Sequence, residues 1–251
     1  MRMGEVHLTV ADLDRSLAYY ERQIGLRVHA HENGTARLGA GGQDLLVLTE
    51  QPGARPADGY SGLFHFALLV PSRADLADWL AHAAHDGVEL TGLSDHYVSE
   101  AIYLRDPDHH GIEVYADRPR ELWEGKVRDR MTTMPLDTGD LLREAPGGSF
   151  GGLAEGTTMG HVHLCVADVA DARAFYEELG FDLMAQLGDQ AVFLSDGGYH
   201  HHLGANTWQS RGAPYAPDDR ARLTRMTILG APEERELRDP SGNPVLLSTS
   251  P

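Results

Sequence analysis

Glu113 lies inside GIEVYAD, an alternating apolar stretch that reads as a β-strand. A carboxylate buried there costs several kcal/mol unless a cation or a metal ion faces it. Tyr103 stands ten residues before it, and His96 seven before that. His65 sits in the middle of another apolar strand, LFHFALLV, and His163 and His7 sit at what reads as the matching place on two further strands. Two imidazoles and one carboxylate leave open coordination positions on an Fe(II)-type ion. The expected ligand set is therefore His65, Glu113 and His163, with His7 as the alternative third ligand. The competing account pairs Glu113 with Arg105 or Arg118 and leaves His65 as a satisfied core histidine. Recurrence of a histidine on repeated strands favours the metal.

The run Tyr199–His202, YHHH, reads as part of a closing strand. Alternation puts His201 on one face and His200 and His202 on the other. A histidine beside a metal-bound hydroxyl can act as a general acid or base near neutral pH; a surface cluster is the bland alternative. His109 and His110 fall in a turn and read as solvated. His29, His31, His82 and His85 read as edge or helix residues without a role. Asp106-Pro107 and Asp239-Pro240 read as turn formers. Trp208 and Tyr215 either line a pocket or pack. No Walker loop, GxSxG elbow, CxxC pair or HExxH is present.

The elements that must position these groups repeat. GEVHLTVADLDRSLAYYERQIGLRV from Gly4 and GHVHLCVADVADARAFYEELGFDL from Gly160 match at an offset of 156 residues. Each predicts a strand, then a helix opened by Asp12 or Asp168 and stopped by Gly25 or Gly180. The helices carry apolar faces at Leu17, Tyr20, Ile24 and at Ala172, Phe175, Leu179. A second kind of unit runs from Leu63 through a helix at Ser72–His85 to strands around DPDHHG. A fourth begins at Leu223 and has no room for a helix. The expected fold is α+β: four βαβββ modules, the fourth abbreviated, pairing into two concave half-barrels. The expected domains are 1–118 (modules one and two) and 160–251 (modules three and four), joined by a linker at 119–159 with flexible points in GGSFGG. Within that frame, modules two and three are expected to face each other across the site, because only module three carries both a strand histidine and the YHHH run.

A net charge of −17 argues against nucleic-acid binding. No apolar run reaches membrane-span length, and no leader pattern follows Met1. Cys165, the single cysteine, cannot form an internal disulfide, which points to the cytoplasm. The incomplete fourth module leaves apolar surface for a partner subunit, so a homo-oligomer is expected.

These residues resemble the vicinal-oxygen-chelate superfamily, and within it the extradiol ring-cleaving dioxygenases, closest to the two-domain bacterial catechol-2,3-dioxygenase-like group. The opening GxVHLxVxDLxxSLxYY is shared across the superfamily and bears on fold alone. The signature His96, Ile102-Tyr103, Asp106-Pro107, Glu113 is more specific; Ser94 and His109 depart from it. The resemblance implies Fe(II), alternatively Mn(II), held by two histidines and Glu113, with a catechol-type substrate and O2. It implies His65 as a ligand and His201 as acid/base with His200 beside it. Tyr103 and His96 would contact the substrate oxygens. In the fourth module Met226 stands opposite the His65 position and Leu246 opposite Glu113. A glyoxalase-type isomerase or lyase would need a further carboxylate ligand, and none falls on the matching strands. A drug-sequestering protein of the resistance type would lack the metal set.

Overall fold

In the computed structural model, which describes residues 1–250, the repeats appear in order. The first comprises β1 (Arg2–Val10), α1 (Leu13–Tyr19), β2 (Arg27–Glu32), β3 (Thr35–Gly39) and β4 (Leu46–Glu50). After β5 (Arg55–Pro56), the second comprises β6 (Gly62–Leu69), α2 (Arg73–Asp86), β7 (Gly92–Asp95), β8 (Ser99–Arg105) and β9 (Gly111–Asp117). A connecting segment holds α3 (Arg120–Trp123), α4 (Val127–Arg130), β10 (Met134–Pro135) and α5 (Thr138–Leu142). The third repeat comprises β11 (Thr158–Cys165), α6 (Val169–Glu178), β12 (Asp182–Leu187), β13 (Ala191–Ser195) and β14 (Leu203–Asn206). After β15 (Arg220–Ala221) the fourth has only β16 (Leu223–Leu229), β17 (Arg235–Arg238) and β18 (Pro244–Ser248), with no helix between them.

The helices start where short polar side chains can accept from free backbone N–H groups. Asp12 accepts from Arg15 N, Ser72 from Asp75 N, and Asp168 from Ala170 N and Asp171 N. Each such cap stabilises its helix by about 1 kcal/mol. Leu17, Tyr20 and Ile24 are buried as their spacing predicts; α1 widens into a π-turn over Tyr20–Ile24 before Gly25 ends it at φ 88°. In α6 the fully buried ring is Tyr176 and not Phe175. The reason is a tie between repeats: Tyr176 donates to Asp239 at 3.2 Å, as Tyr20 donates to Asp106 at 2.8 Å. The two Asp-Pro turns therefore anchor the helix of one repeat to the hairpin of another. His110, expected in solvent, is buried in the first of these turns, with its Nε2 bonded to Thr9 O.

Two sheets result. One has nine strands in the order β10-β7-β8-β9-β6-β11-β14-β13-β12; the other has seven, β17-β18-β16-β1-β4-β3-β2. β6 runs antiparallel to β11, and β1 antiparallel to β16. The second and third repeats thus share one curved sheet and the first and fourth share the other, each sheet drawing one repeat from either side of 119–159. That segment is packed more than its composition suggests: Trp123, Val127, Leu141 and Leu153 are all buried.

Alternation assigns the faces. Phe66, Leu68, Val70, Ile112, Val114, Val162 and Leu164 join one apolar core with the helices. Burying each such side chain stabilises the fold by about 1.5–3 kcal/mol. The residues between them, His65, Ala67, Glu113, Tyr115, His161 and His163, are left on the concave face of the nine-stranded sheet.

Candidate metal centre

The three central strands of that sheet each contribute one donor. In ladder register Glu113 on β9 lies beside Ala67 on β6, and Ala67 lies beside His161 on β11. Ala67 has almost no side chain, so Glu113 and His161 meet above it. His65, one step along the face from Ala67, closes the triangle. Glu113 Oε2 is 3.0 Å from His65 Nε2 and 3.0 Å from His161 Nε2, and the two nitrogens are 3.3 Å apart. All three residues are buried, and these donor atoms form a set that can hold a metal ion. No arginine enters the triangle: Arg105 pairs with Asp58, and Arg118 with Asp95 and Glu100.

The donor set suits a divalent ion. Burial alone would raise the Glu113 carboxyl, but the facing His161 and His65 imidazoles outweigh it and hold Glu113 well below the usual carboxylate range. Burial also lowers His161, against the pull of Glu113, which favours the neutral imidazole that a metal requires. Gly160 brings the strand in close. A Cβ there would lie 1.9 Å from the Tyr115 hydroxyl, whose ring packs 4.9 Å from that of His161.

The residue that completes the triangle with His65 and Glu113 is His161, where His163 was expected. His163 faces the same side of β11 but sits opposite His65 in the ladder, its ring 5.0 Å from the His65 ring. It packs against Phe64 and Trp208, with Nε2 buried and unpartnered. Burial, then His65 and His161, push its pKa well down. His7 lies in the other sheet and pairs with Glu5 and Arg225. The helix caps carried the missed signal. His65 stands seven residues before the Ser72 cap, and seven before the Asp168 cap is His161. Aligning His65 with His163 moves the comparison by two residues, from one concave position to the next.

The other expected residues gather around the triangle. The YHHH run precedes β14 and does not form part of it. His201 lines the cavity and packs on His161 at 4.1 Å between ring centroids. Burial, then its histidine neighbours, keep it well below the ordinary histidine range and so neutral. His200 is fully buried and turned from the cavity toward Asp117. Tyr103 pairs with Glu113 across β8 and β9, and its hydroxyl is 2.8 Å from His96 Nε2. His96 Nδ1 lies 2.7 Å from Thr132 O, a carbonyl that can only accept. His96 therefore carries its proton on Nδ1 when neutral and accepts from Tyr103 at Nε2. Burial, then the Glu113 charge, keep Tyr103 a phenol.

The triangle opens into a cavity of about 630 Å³ walled by Phe64, Ile112, Phe193 and Trp208, with His96 and Tyr103 at one side. That volume suits a small aromatic molecule. Trp208 thus lines a pocket, whereas Tyr215 packs under Arg222 and Arg238. Thr132 and Thr133, from the connecting segment, complete the rim. Among the described residues no helix is long and apolar enough to cross a membrane.

The same organisation occurs in known proteins. A family model described as Glyoxalase/Bleomycin resistance protein/Dioxygenase superfamily matches residues 2–114 and 158–217. A protein named catechol-2,3-dioxygenase from Bacillus subtilis (strain 168) is 43% identical over 245 residues, covering 94% of this chain and 84% of that protein. Among solved structures, glyoxalase I from Zea mays superposes with a TM-score of 0.60 at 18% identity, covering 98% of this chain and 91% of that one. The cppA protein from Streptococcus pneumoniae TIGR4 superposes with a TM-score of 0.57 at 11% identity, covering 99% of each chain. These two share the fold; the family model and the Bacillus relative bear on descent. The chain belongs to the Glyoxalase/Bleomycin resistance protein/Dioxygenase superfamily.

Proposed function

We propose that the protein is a metal-dependent extradiol dioxygenase that opens the ring of a catechol-type diol with O2. The observation that carries this reading is the triangle of His65, Glu113 and His161 at the floor of an apolar cavity. Two histidines and one carboxylate on one side of an ion leave positions for a chelating diol and for dioxygen. The name of the 43% identical relative supports the same reaction. Fe(II) is the ion proposed, with Mn(II) as the alternative.

His65, Glu113 and His161 would hold the ion, which when bound supplies a Lewis acid for the two diol oxygens and a binding position for O2. Phe64, Phe193 and Trp208 supply the apolar walls against which the aromatic ring packs. His201, neutral and beside His161, accepts a proton from a diol hydroxyl. Tyr103 and His96 flank the opposite side and hydrogen-bond the reacting oxygens, exchanging the bond they make with each other for one to substrate. A glyoxalase-type reaction is disfavoured because the donor set has a single carboxylate.

The test is anaerobic loading with Fe(II), then addition of a catechol panel and oxygen. Stoichiometric oxygen uptake with a yellow ring-fission product is expected. Bound metal without oxygen uptake across the panel would refute the proposal.

A further inference from the structure

His201 does not stand alone in the wall of the cavity. Its Nδ1 lies 2.8 Å from His200 Nδ1, and His200 Nε2 lies 2.8 Å from Asp117 Oδ1. Asp117 Oδ1 also accepts from the Tyr199 hydroxyl at 3.1 Å, and the Tyr115 and Tyr199 hydroxyls are 2.8 Å apart. His200 has no exposed surface: Tyr199 stacks on it at 4.0 Å, and Trp123 and Tyr115 close its edges. Asp117 ends β9, the strand that carries Glu113. Its side chain is 25% exposed, so this end of the chain reaches solvent.

The directions of these bonds follow from the chemistry of the groups. An ionised carboxylate only accepts, so His200 Nε2 carries a hydrogen. With His200 neutral, its Nδ1 carries a bare lone pair and accepts, and the donor is His201 Nδ1–H. His201 is left with its lone pair on Nε2, which makes no hydrogen bond among the described residues. The His200–His201 link is short and buried, where such a bond is stronger than in water.

We infer that Asp117 and His200 are positioning residues that fix His201 as the Nδ1–H tautomer and so present Nε2 as the proton acceptor of the cavity. This deepens the dioxygenase reading and rests on it for the use made of Nε2; the tautomer itself does not depend on the reaction. When Nε2 takes a proton from a substrate hydroxyl, the O–H bond breaks and an N–H bond forms. The resulting positive charge lies one imidazole away from the Asp117 carboxylate, which has no other ion pair among the described residues. Only a polar rotor such as Tyr199, and no salt bridge to arginine, competes for that carboxylate, so its charge remains available to the histidine pair.

The experiment is two-bond ¹H–¹⁵N correlation spectroscopy of histidine-labelled protein, metal-free and loaded with diamagnetic Zn(II). His201→Gln and His200→Gln assign the signals by their disappearance. The wild type is expected to show His201 protonated at Nδ1 with a bare Nε2, and His200 protonated at Nε2. Asp117→Leu, which cannot accept, is expected to release His201 into a mixture of tautomers. In the Fe(II)-loaded enzyme the same variant should lower kcat about 10–100-fold, the range found when partners of metal-site groups are removed, with KM and metal content unchanged. His201 protonated at Nε2 in the wild type overturns the inference whatever the variant does. So does an unchanged His201 tautomer in Asp117→Leu. A wild type with the stated tautomer but no ring cleavage would count against the dioxygenase reading alone.

Discussion

Whether His161 or His163 holds the ion can be decided by substitution, and the geometry sets the expected size of the effect. With metal–ligand bonds of about 2.1 Å, donors 3.0 Å apart subtend an angle of about 91° at the ion, and donors 3.3 Å apart about 104°. Donors so close together would sit on one side of an ion, and each of the three would be needed to hold it. Loss of His161 leaves two donors. Partners that merely orient a ligand are worth about 10–100-fold in metal affinity; a ligand is worth more, so His161→Ala should weaken binding by more than about 100-fold. His163→Ala removes a ring that touches His65 without entering the triangle, and should change affinity by less than about tenfold. The assay is competition with a chromophoric chelator for Mn(II) or Fe(II), with metal content measured after dialysis. Circular dichroism establishes that each variant is folded. Retained stoichiometric metal in His161→Ala, together with loss in His163→Ala, would refute the assignment.

Three further outcomes follow from the same structure. A ligand at 100 times its Kd stabilises a folded protein by about 2.7 kcal/mol, so adding the cognate metal should raise Tm by roughly 5–10 °C and a chelator should reverse it; an unchanged Tm would exclude a site of that affinity. Gly160→Ala places a methyl within 1.9 Å of the Tyr115 hydroxyl and should cost about 1–3 kcal/mol in denaturant unfolding; a neutral variant would mean that Tyr115 moves freely. Burial, aided by the nearby N-terminus, pushes His202 down to about 4. Above the ordinary value of about 6.5 both folded and unfolded states are neutral at this position. As pH falls from there toward 4 only the unfolded state gains the proton, so stability drops by at most about 3 kcal/mol and then levels off. The slope of unfolding free energy against pH over that window should be shallower in His202→Asn, and equal slopes would contradict the shift.

Much of the architecture could be read from residue patterns, because caps and alternation are local. Asp12, Ser72 and Asp168 each begin a helix through their own side chains, and the two-residue period of β6, β9 and β11 separates core from concave face without tertiary information. What could not be read directly was depth along a face. His161 and His163 share a face, and alternation alone does not separate them; the seven-residue spacing to the helix cap hints at His161, and the ladder sets it level with Ala67 and hence Glu113. The burial of His110 was hidden for the same reason: its partner, Thr9 O, comes from a strand 101 residues earlier in the chain. The packed connecting segment was hidden too, since Trp123 covers His200 from outside the repeats altogether.

The second sheet shows that a carboxylate on the concave face is held in two ways in one fold, Glu113 being buried and Glu5 half-buried. Its ladder pairs His7 with Arg225 as the first pairs His163 with His65, and Thr227 with Leu246 as the first pairs Ala67 with Glu113. Arg225, and not Met226, therefore takes the place of His65; Leu246 takes that of Glu113. Glu5, seven residues before the Asp12 cap, takes that of His161. The carboxylate stands on β1, at the place that β11 holds in the other sheet, and its partners are a histidine and two arginines: Glu5 lies 2.6 Å from His7, 3.0 Å from Arg37 and 3.3 Å from Arg225. The His7 hydrogen bond, with the charges of Arg37 and Arg225, outweighs the cost of burial and lowers the Glu5 pKa. A guanidinium there supplies the positive charge that a bound ion would supply at Glu113, and it excludes an ion from the same space. One half-barrel thus holds its carboxylate with fixed charges, while the other leaves Glu113 facing two imidazoles, an arrangement that favours a bound cation.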